Sequence, residues 1–470
     1  MTVPQSVTAN PSMKIGDVSF WYADIGLPPS RRPAQSGDST ADVAIIGAGY
    51  TGLWAAWYLM QADPTLKVLV LEKEFAGFGA SGRNGGWCMG TLAWDHDRYA
   101  KTHGKPAVIE MARHLRGTVD EIIGVCEAQG IDADIVRTEV LLFANNKAQM
   151  ARLKANMAHH AEWGQGDRVR ELTAEQVAQR ITIPGVRGGM AMTGVARVQP
   201  AKLVRGLAEA VERAGAVIHE GTEVLSYGPG EVVTAKGRVT APIILRCTEG
   251  FTASLPGHER DWLPLNSAQI ATPVLPPEVW AKIGWDQSEL VEDLANSYCY
   301  CQRTREGRIT VGARGVPYRY GSRMDNNGAP DAETIKRLTE ILHRHFPEAA
   351  PYGIDHAWCG VIGVPRDWCA TVGLDKATGL GWAGGYVGVG VSTSNLTGRT
   401  LADLALGRDT EITRLPWVGR KPRLWEREPF RWLGVHTMYN LLRLADRRED
   451  RLGIGPSKFA AFGNWLTGRR

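Results

Sequence analysis

A parallel α/β unit interrupted by an inserted α+β unit is the fold class this sequence predicts, and three observations carry it. An apolar run, Asp42 to Ile46, leads into Gly47-Ala-Gly49-Tyr50-Thr51-Gly52, and a second run, Lys67 to Leu71, delivers Glu72 twenty residues after the last of those glycines. Two further glycine-rich segments, Ala76 to Gly86 and Trp382 to Gly390, lie far apart in the chain, with long stretches of other character between them. Strand, glycine turn, helix and second strand in that order build a crossover whose helix packs on a parallel sheet.

Each part of the first motif has its own physical reason. Gly47 permits the tight turn that leaves the strand, Gly49 lets the backbone approach a pyrophosphate, and Gly52 allows the helix to pack closely on the sheet. The positive end of the helix then faces the phosphates. Glu72, at the carboxyl end of the second strand, can accept hydrogen bonds from a ribose diol and would repel a 2′-phosphate, which favours FAD or NAD over NADP. Tyr50, Thr51 and Lys73 flank these positions and join them as candidate dinucleotide contacts. The segment Ala80-Ser81-Gly82-Arg83-Asn84-Gly85-Gly86 is too rich in glycine to pack as core, which suits a backbone lying against a flat ligand.

Downstream, apolar residues from Val108 to Val125 recur at helical spacing and a strand follows at Glu139 to Ala144, opening the insertion. Pro200 starts a helix that Gly215 ends, and short strands run from Ala216 to Cys247 as the cofactor unit resumes. The block Gly257 to Pro351, with strands near Ser297 to Arg303 and Arg308 to Ala313 and a helix at Asp331 to His345, reads as the remainder of the inserted unit. Gly385, Gly388, Val389, Gly390 and Val391 then lead into a last helix.

Composition narrows the function classes. The chain has 470 residues, 22% of them charged, and a formal net charge of +4, values ordinary for a soluble globular protein. Its arginine-rich stretch, Arg414 to Arg451, is interleaved with Trp, Glu and Leu and reads as a salt-bridged layer, not a nucleic-acid arm. Met1 to Ser39 shows no signal-peptide pattern, and no run nears the roughly 20 apolar residues of a membrane span. Seven cysteines without a CxxC suit a reducing compartment, so a cytoplasmic location is expected. The pairs His159-His160 and His343-x-His345 lack neighbouring ligands at metal spacing and are expected as surface histidines, with no metal site. Cys299 and Cys301 alternate on one strand face and are expected in a core.

In this order the motifs resemble the FAD-dependent D-amino-acid-oxidase superfamily, which contains glycine oxidase, sarcosine oxidase and γ-glutamylputrescine oxidoreductase. The resemblance covers about residues 18 to 450, and Glu426 to Trp432 is similar to the last-named branch. It implies an FAD-binding Rossmann-like domain of the glutathione-reductase type, with an inserted substrate domain on a mixed or antiparallel sheet. The boundaries expected on this reading are an N-terminal extension at 1–39, FAD-binding segments at 40–95, 185–256 and 352–415, substrate-domain segments at 96–184 and 257–351, and a C-terminal helical cap at 416–470.

The resemblance also assigns roles. Ser81 and Arg83 would donate to the pyrophosphate, Val224 would contact the adenine through its backbone, and Gly385, Gly388 and Gly390 would offer N–H groups to the flavin. Arg314 falls where the family often has a cation assisting oxygen, a carboxylate clamp for the substrate being the other reading. Cys359 lies close to where sarcosine oxidases join flavin covalently, but many relatives hold FAD without such a bond; non-covalent FAD with Cys359 as a buried small hydrophobe is expected, a covalent link being the alternative. By residue type alone, Tyr298, Tyr300, Arg303, Tyr318 and Tyr320, with Trp87, are substrate candidates, Tyr300 and Tyr318 joining Arg314 as catalytic ones. The implied reaction oxidises the C–N bond of a small-molecule amine or amino acid, with oxygen or another acceptor taking the electrons. A 2-hydroxy-acid dehydrogenase and a catalytically silent flavoprotein stay open, as does the choice between monomer and dimer.

Overall fold

The structure is a computed structural model that describes residues 13–28, 31–93, 95–314, 318–324 and 327–467. Two large sheets organise it. The first has six strands in the order Thr371–Asp375, Leu380–Gly384, Ile243–Arg246, Val43–Ile46, Val68–Leu71 and Val217–His219. Every pairing in it is parallel except that of Thr371–Asp375 with Leu380–Gly384. Val43–Ile46 and Val68–Leu71 are buried at every position, because helices cover one face of the sheet and a small, mostly antiparallel sheet covers the other. The helix Tyr50–Ala62 is apolar nearly all round because it lies between this sheet and the helix Gly390–Ala405. Gly398 makes that contact close: a Cβ there would stand 2.6 Å from the Trp54 Cβ.

The second sheet has ten strands and is mixed. Its path runs Lys14–Ile15, His356–Pro365, Trp262–Ala271, Ile309–Ala313, Cys299–Arg303, Leu290–Asp293, Val136–Ala144, Gly188–Arg197 and Trp87–Met89, with Val169–Thr173 also paired to Gly188–Arg197. Strand alternation gives this sheet two opposite faces. The cross-strand row Ala191, Leu141, Val291, Cys301, Val311, Ile270 and Ala357 points into an apolar core shared with the helix Ala332–His345. The adjoining row Met190, Leu142, Glu292, Tyr300, Gly312, Gln269 and Trp358 faces the other way, toward the six-stranded sheet. Gly188–Arg197 and His356–Pro365 fall within segments expected to build the cofactor domain, yet both pair in the ten-stranded sheet. A third sheet, of four strands, holds Val224–Gly228, Glu231–Thr234, Gly237–Thr240 and Ser39–Thr40.

Both ends of the chain contribute to this frame. Of the expected N-terminal extension, residues 1–12 and 29–30 lie outside the described residues. The rest is no loose tail: Lys14–Ile15 joins a sheet, and the half-buried helix Phe20–Ile25 braces the Ala80–Gly86 loop. Ser19 Oγ donates to the Gly82 carbonyl at 2.7 Å, and Trp21 Nε1 to that of Asn84 at 2.7 Å. At the other end, helices Phe430–Leu452 and Lys458–Thr467 pack together, the first lying over the ten-stranded sheet. Asp446 accepts from the N–H groups of Asn296 and Ser297 at 2.8 and 2.9 Å, and the wholly buried Glu449 pairs with Arg152 at 2.8 Å.

Candidate functional site

A cavity of about 560 Å³ runs between the six-stranded sheet and the second face of the ten-stranded one. Its cofactor-side wall is mostly backbone. Gly47, at φ 102°, turns the chain so that its N–H donates to Leu71 at 2.8 Å, and a Cβ there would lie 2.9 Å from the Cys247 carbonyl. A Cβ on Gly52 would lie 2.0 Å from the Gly47 carbonyl, so the turn and the helix Tyr50–Ala62 meet only through glycine. Gly49 is the N-cap of that helix and gives it no side-chain cap. Ser81 Oγ stands beside it, accepting from the Tyr50 N–H at 2.8 Å. The amino end of the helix Gly390–Ala405, with Val389 as N-cap, is likewise uncapped by a side chain and lies against the same cavity.

Glu72 closes the far end. Its carboxylate accepts from the N–H groups of Ala48 and Glu74, both at 2.9 Å, while burial pushes its pKa up to about 7 against those donations. Lys73 pairs with Glu223 at 2.6 Å beside Val224, and all three line the cavity. Uncapped helix ends, a glycine cradle and a strand-end carboxylate form a donor set that fits the pyrophosphate, ribose and ring of a dinucleotide.

The Ala80–Gly86 loop is held from several sides. Arg83, 1% exposed, donates from Nε to the Phe78 carbonyl at 2.6 Å and from Nη1 to that of Cys359 at 3.3 Å. It lines the cavity, but the guanidinium expected on the pyrophosphate is spent on backbone carbonyls. Asn84 ties the loop internally, accepting from Gly86 at 2.8 Å and donating to Ser81 at 2.8 Å. Gln269 and Trp358 both donate to the Arg83 carbonyl, fastening the loop to the ten-stranded sheet. Gly82 and Gly86 serve packing, not lining; a Cβ on Gly86 would meet Gln302 Oε1 at 2.2 Å.

On the opposite wall, Tyr300 bonds Ser267 Oγ at 3.1 Å and its ring meets Trp87 edge-on. Tyr298 and Arg314 border the same space. The Arg314 guanidinium stands 5.7 Å from the Trp368 ring centroid, and its buried Nη2 makes no hydrogen bond among the described residues.

Several expectations fail here. Cys359 is the buried small hydrophobe expected beside non-covalent FAD, not a cofactor contact: it pairs with Ala268 and shares the core face of its strand, while Gly360 and Ile362 line the cavity. Tyr318 is 1% exposed among the C-terminal helices, its hydroxyl donating to Glu428 at 2.6 Å. Arg303 lies over Trp280 and donates to the Trp285 carbonyl, and Tyr320 is half exposed; neither borders the cavity. Gly385 is turned away as well, its N–H held by Glu249 at 3.0 Å, which leaves Gly388 to Val391 on the wall. His159 and His160 are cavity residues rather than surface ones; His159 lies 3.2 Å from His96, and burial lowers the pKa of both 159 and 160, that of His160 to about 4. His345 is buried 3.4 Å from Asp293, and with Cys299 the three bring potential metal ligands within reach of one another, a grouping that sequence spacing hides.

Other cavity residues escaped the sequence reading. Glu249 accepts from Gly363, Gly385 and Tyr386, with burial lifting its pKa to about 7 against those donations. It follows the strand Ile243–Arg246 much as Glu72 follows its own, a position at the carboxyl end of a parallel strand that could have flagged it. Glu292 and the cap residue Tyr439 carry no such signal.

Comparison with known proteins agrees with this geometry. Residues 42–404 match the family described as FAD dependent oxidoreductase (DAO). A probable oxidoreductase OrdL of Rhizobium meliloti is 30% identical over 397 residues, 82% of this chain and 87% of the relative. The γ-glutamylputrescine oxidoreductase of Escherichia coli is 29% identical over 429 residues, 88% and 94% of the two chains. Glycine oxidase from Geobacillus kaustophilus superimposes with a TM-score of 0.65 at 21% identity, covering 79% of this chain and 96% of that one, and supports the fold. No helix among the described residues is long and apolar enough to cross a membrane. The chain belongs to the DAO family of FAD-dependent oxidoreductases and is an enzyme whose cofactor is FAD.

Proposed function

We propose that this enzyme oxidises the carbon–nitrogen bond of an amine or amino acid in the space between the Gly388–Val391 turn and the Tyr300 face of the ten-stranded sheet. The observation that carries the reading is the meeting of these two walls in one cavity: an uncapped helix end on one side, aromatic and apolar side chains on the other. The relatives point the same way, since their names include a γ-glutamylputrescine oxidoreductase and a glycine oxidase.

When bound, FAD supplies the acceptor for a hydride from the carbon beside the nitrogen. The six-stranded sheet is assigned to FAD and the ten-stranded sheet to the substrate. Glu72 would take the ribose hydroxyls, the Gly47–Gly52 turn and Ser81 the pyrophosphate, and the N–H groups of Gly388 to Val391 the negative charge that develops on reduction. Leu142, Met190, Met192, Trp87 and Tyr300 exclude water from the reacting carbon. The substrate loses a hydride and the nitrogen's proton to become an imine, which takes up one water and splits into a carbonyl compound and ammonia or an amine. Two electrons and two protons passed to oxygen give hydrogen peroxide; the Arg314 cation stabilises charge building on that oxygen.

The test is anaerobic mixing of the holoenzyme with panels of amines, amino acids and 2-hydroxy acids, followed by admission of oxygen. Bleaching of the flavin by an amine or amino acid, then peroxide release, is expected; bleaching by hydroxy acids alone would overturn the reading.

A further inference from the structure

We propose that Glu292 holds a second cationic group of the substrate, distinct from the nitrogen that is oxidised, so that the preferred substrates are diamine-like. The inference rests on the amine-oxidising reading above and names the substrate class for the same cavity.

Among the described residues five carboxylates border the cavity, and four of them are engaged. Glu72 accepts from two backbone N–H groups, Glu74 pairs with Arg31 at 3.0 Å, Glu223 pairs with Lys73 at 2.6 Å, and Glu249 accepts from three N–H groups. Glu292 differs: it has neither hydrogen bond nor ion pair among the described residues. It is also the one carboxylate that the strands of the ten-stranded sheet contribute to this wall, among the described residues. Its cross-strand partners are Leu142 and Tyr300, with Met190 beyond Leu142, so the surroundings are largely apolar.

A carboxylate placed there without a partner is costly in its charged form. An ammonium brought by a ligand reverses that balance, because the two charges desolvate together and attract strongly in a space with little water. Among the described residues no protein cation does this work: Arg314 makes no ion pair with Glu292, and burial disfavours the charged forms of His159 and His160.

The chemistry says which nitrogen Glu292 takes. Loss of a hydride from the adjoining carbon needs the nitrogen lone pair free, and a carboxylate paired with that nitrogen would keep it protonated. The group held by Glu292 is therefore the one that does not react. The side-chain row sets it beside Tyr300, whose ring lies 3.0 Å from a Cβ built on Gly85 of the cofactor loop, so one chain-like molecule can span both positions.

The experiment compares unbranched α,ω-diamines with n-alkylamines of the same lengths on wild-type holoenzyme, reading dissociation constants from the concentration dependence of anaerobic flavin reduction. Wild type should favour diamines by about 10- to 100-fold, and Glu292→Gln should bring that ratio close to parity, with Glu292→Asp between them. Glu292→Met carries the same expectation as Gln and serves if the amide variant loses flavin. A diamine preference unchanged in Glu292→Gln, or its absence in wild type, overturns the proposal. Should no amine reduce the wild-type flavin, the amine-oxidising reading fails by itself. Diamine binding, followed by perturbation of the flavin spectrum without turnover, still decides Glu292: weakened binding in Glu292→Gln supports the site, and equal binding sinks it.

Discussion

The two walls of the cavity are built by different means. The six-stranded sheet presents backbone: glycines, uncapped helix ends, and strand-end carboxylates that grip N–H groups. The ten-stranded sheet presents side chains, set in a row by the pairing of strands that lie far apart in sequence. Backbone recognition tolerates little variation, because a ligand approaches atoms that every chain of this shape must have. Side-chain recognition can change one residue at a time without altering the frame, so the same cofactor grip can serve many substrates.

The sharpest break in that contrast is Gly52→Ala. With a Cβ forced to 2.0 Å from the Gly47 carbonyl, flavin content of the purified protein should fall at least about tenfold, read as flavin absorbance per protein. Gly312→Ala makes the matching change on the other wall, where the new Cβ would stand 2.3 Å from the Tyr300 ring. Here FAD should be retained while kcat/KM drops by about 10- to 100-fold as the ring is displaced. If Gly312→Ala also lost FAD, the separation of the two walls would be wrong.

Arg314→Met divides the functions more finely. Reoxidation by oxygen should slow by about tenfold while anaerobic reduction by substrate changes little; the opposite pattern would make Arg314 a substrate clamp. Cys359→Ala should cost about 1 kcal/mol of stability by leaving a small void in the core, and acid precipitation of wild type should leave the yellow colour in the supernatant. Colour in the pellet would contradict the orientation of its strand. The smallest effect is on pH dependence of the apoprotein. Glu72 and Glu249 have pKa values raised in the folded state from 4.5 to about 7, so their contribution is present below about pH 4.5 and is lost as pH rises through about 7. Melting temperature should fall across that window, and Glu72→Gln should flatten the fall by about 2 °C.

The contrast also explains what could be read from the sequence. Gly47, Gly49, Gly52 and Glu72 form a contiguous signal because one turn needs them at fixed spacing, and the structure sets all four at that turn. Glu292 gave no such signal. Its meaning depends on standing opposite Leu142 and Tyr300, and register between distant strands is not written at any one place in the chain. The errors have the same source. Residue type alone marks Tyr318 and Arg303 as substrate candidates, and only the fold shows that one serves the C-terminal helices and the other stacks on Trp280. Motif proximity alone sets Cys359 near the flavin, but a shift of a single residue along a strand reverses the face.

Tyr439 has a consequence for assembly. Among the described residues it is the cavity residue nearest the C-terminus, and the helix bearing it is anchored through Asp446 and Glu449 to residues near 296 and 152. A ribosome therefore finishes the entire cofactor wall about 50 residues before it releases the residue that completes the substrate wall. Nascent chains halted ahead of Phe430 would carry a complete flavin grip beneath an open roof, and loading of FAD need not wait for the enclosure to be finished.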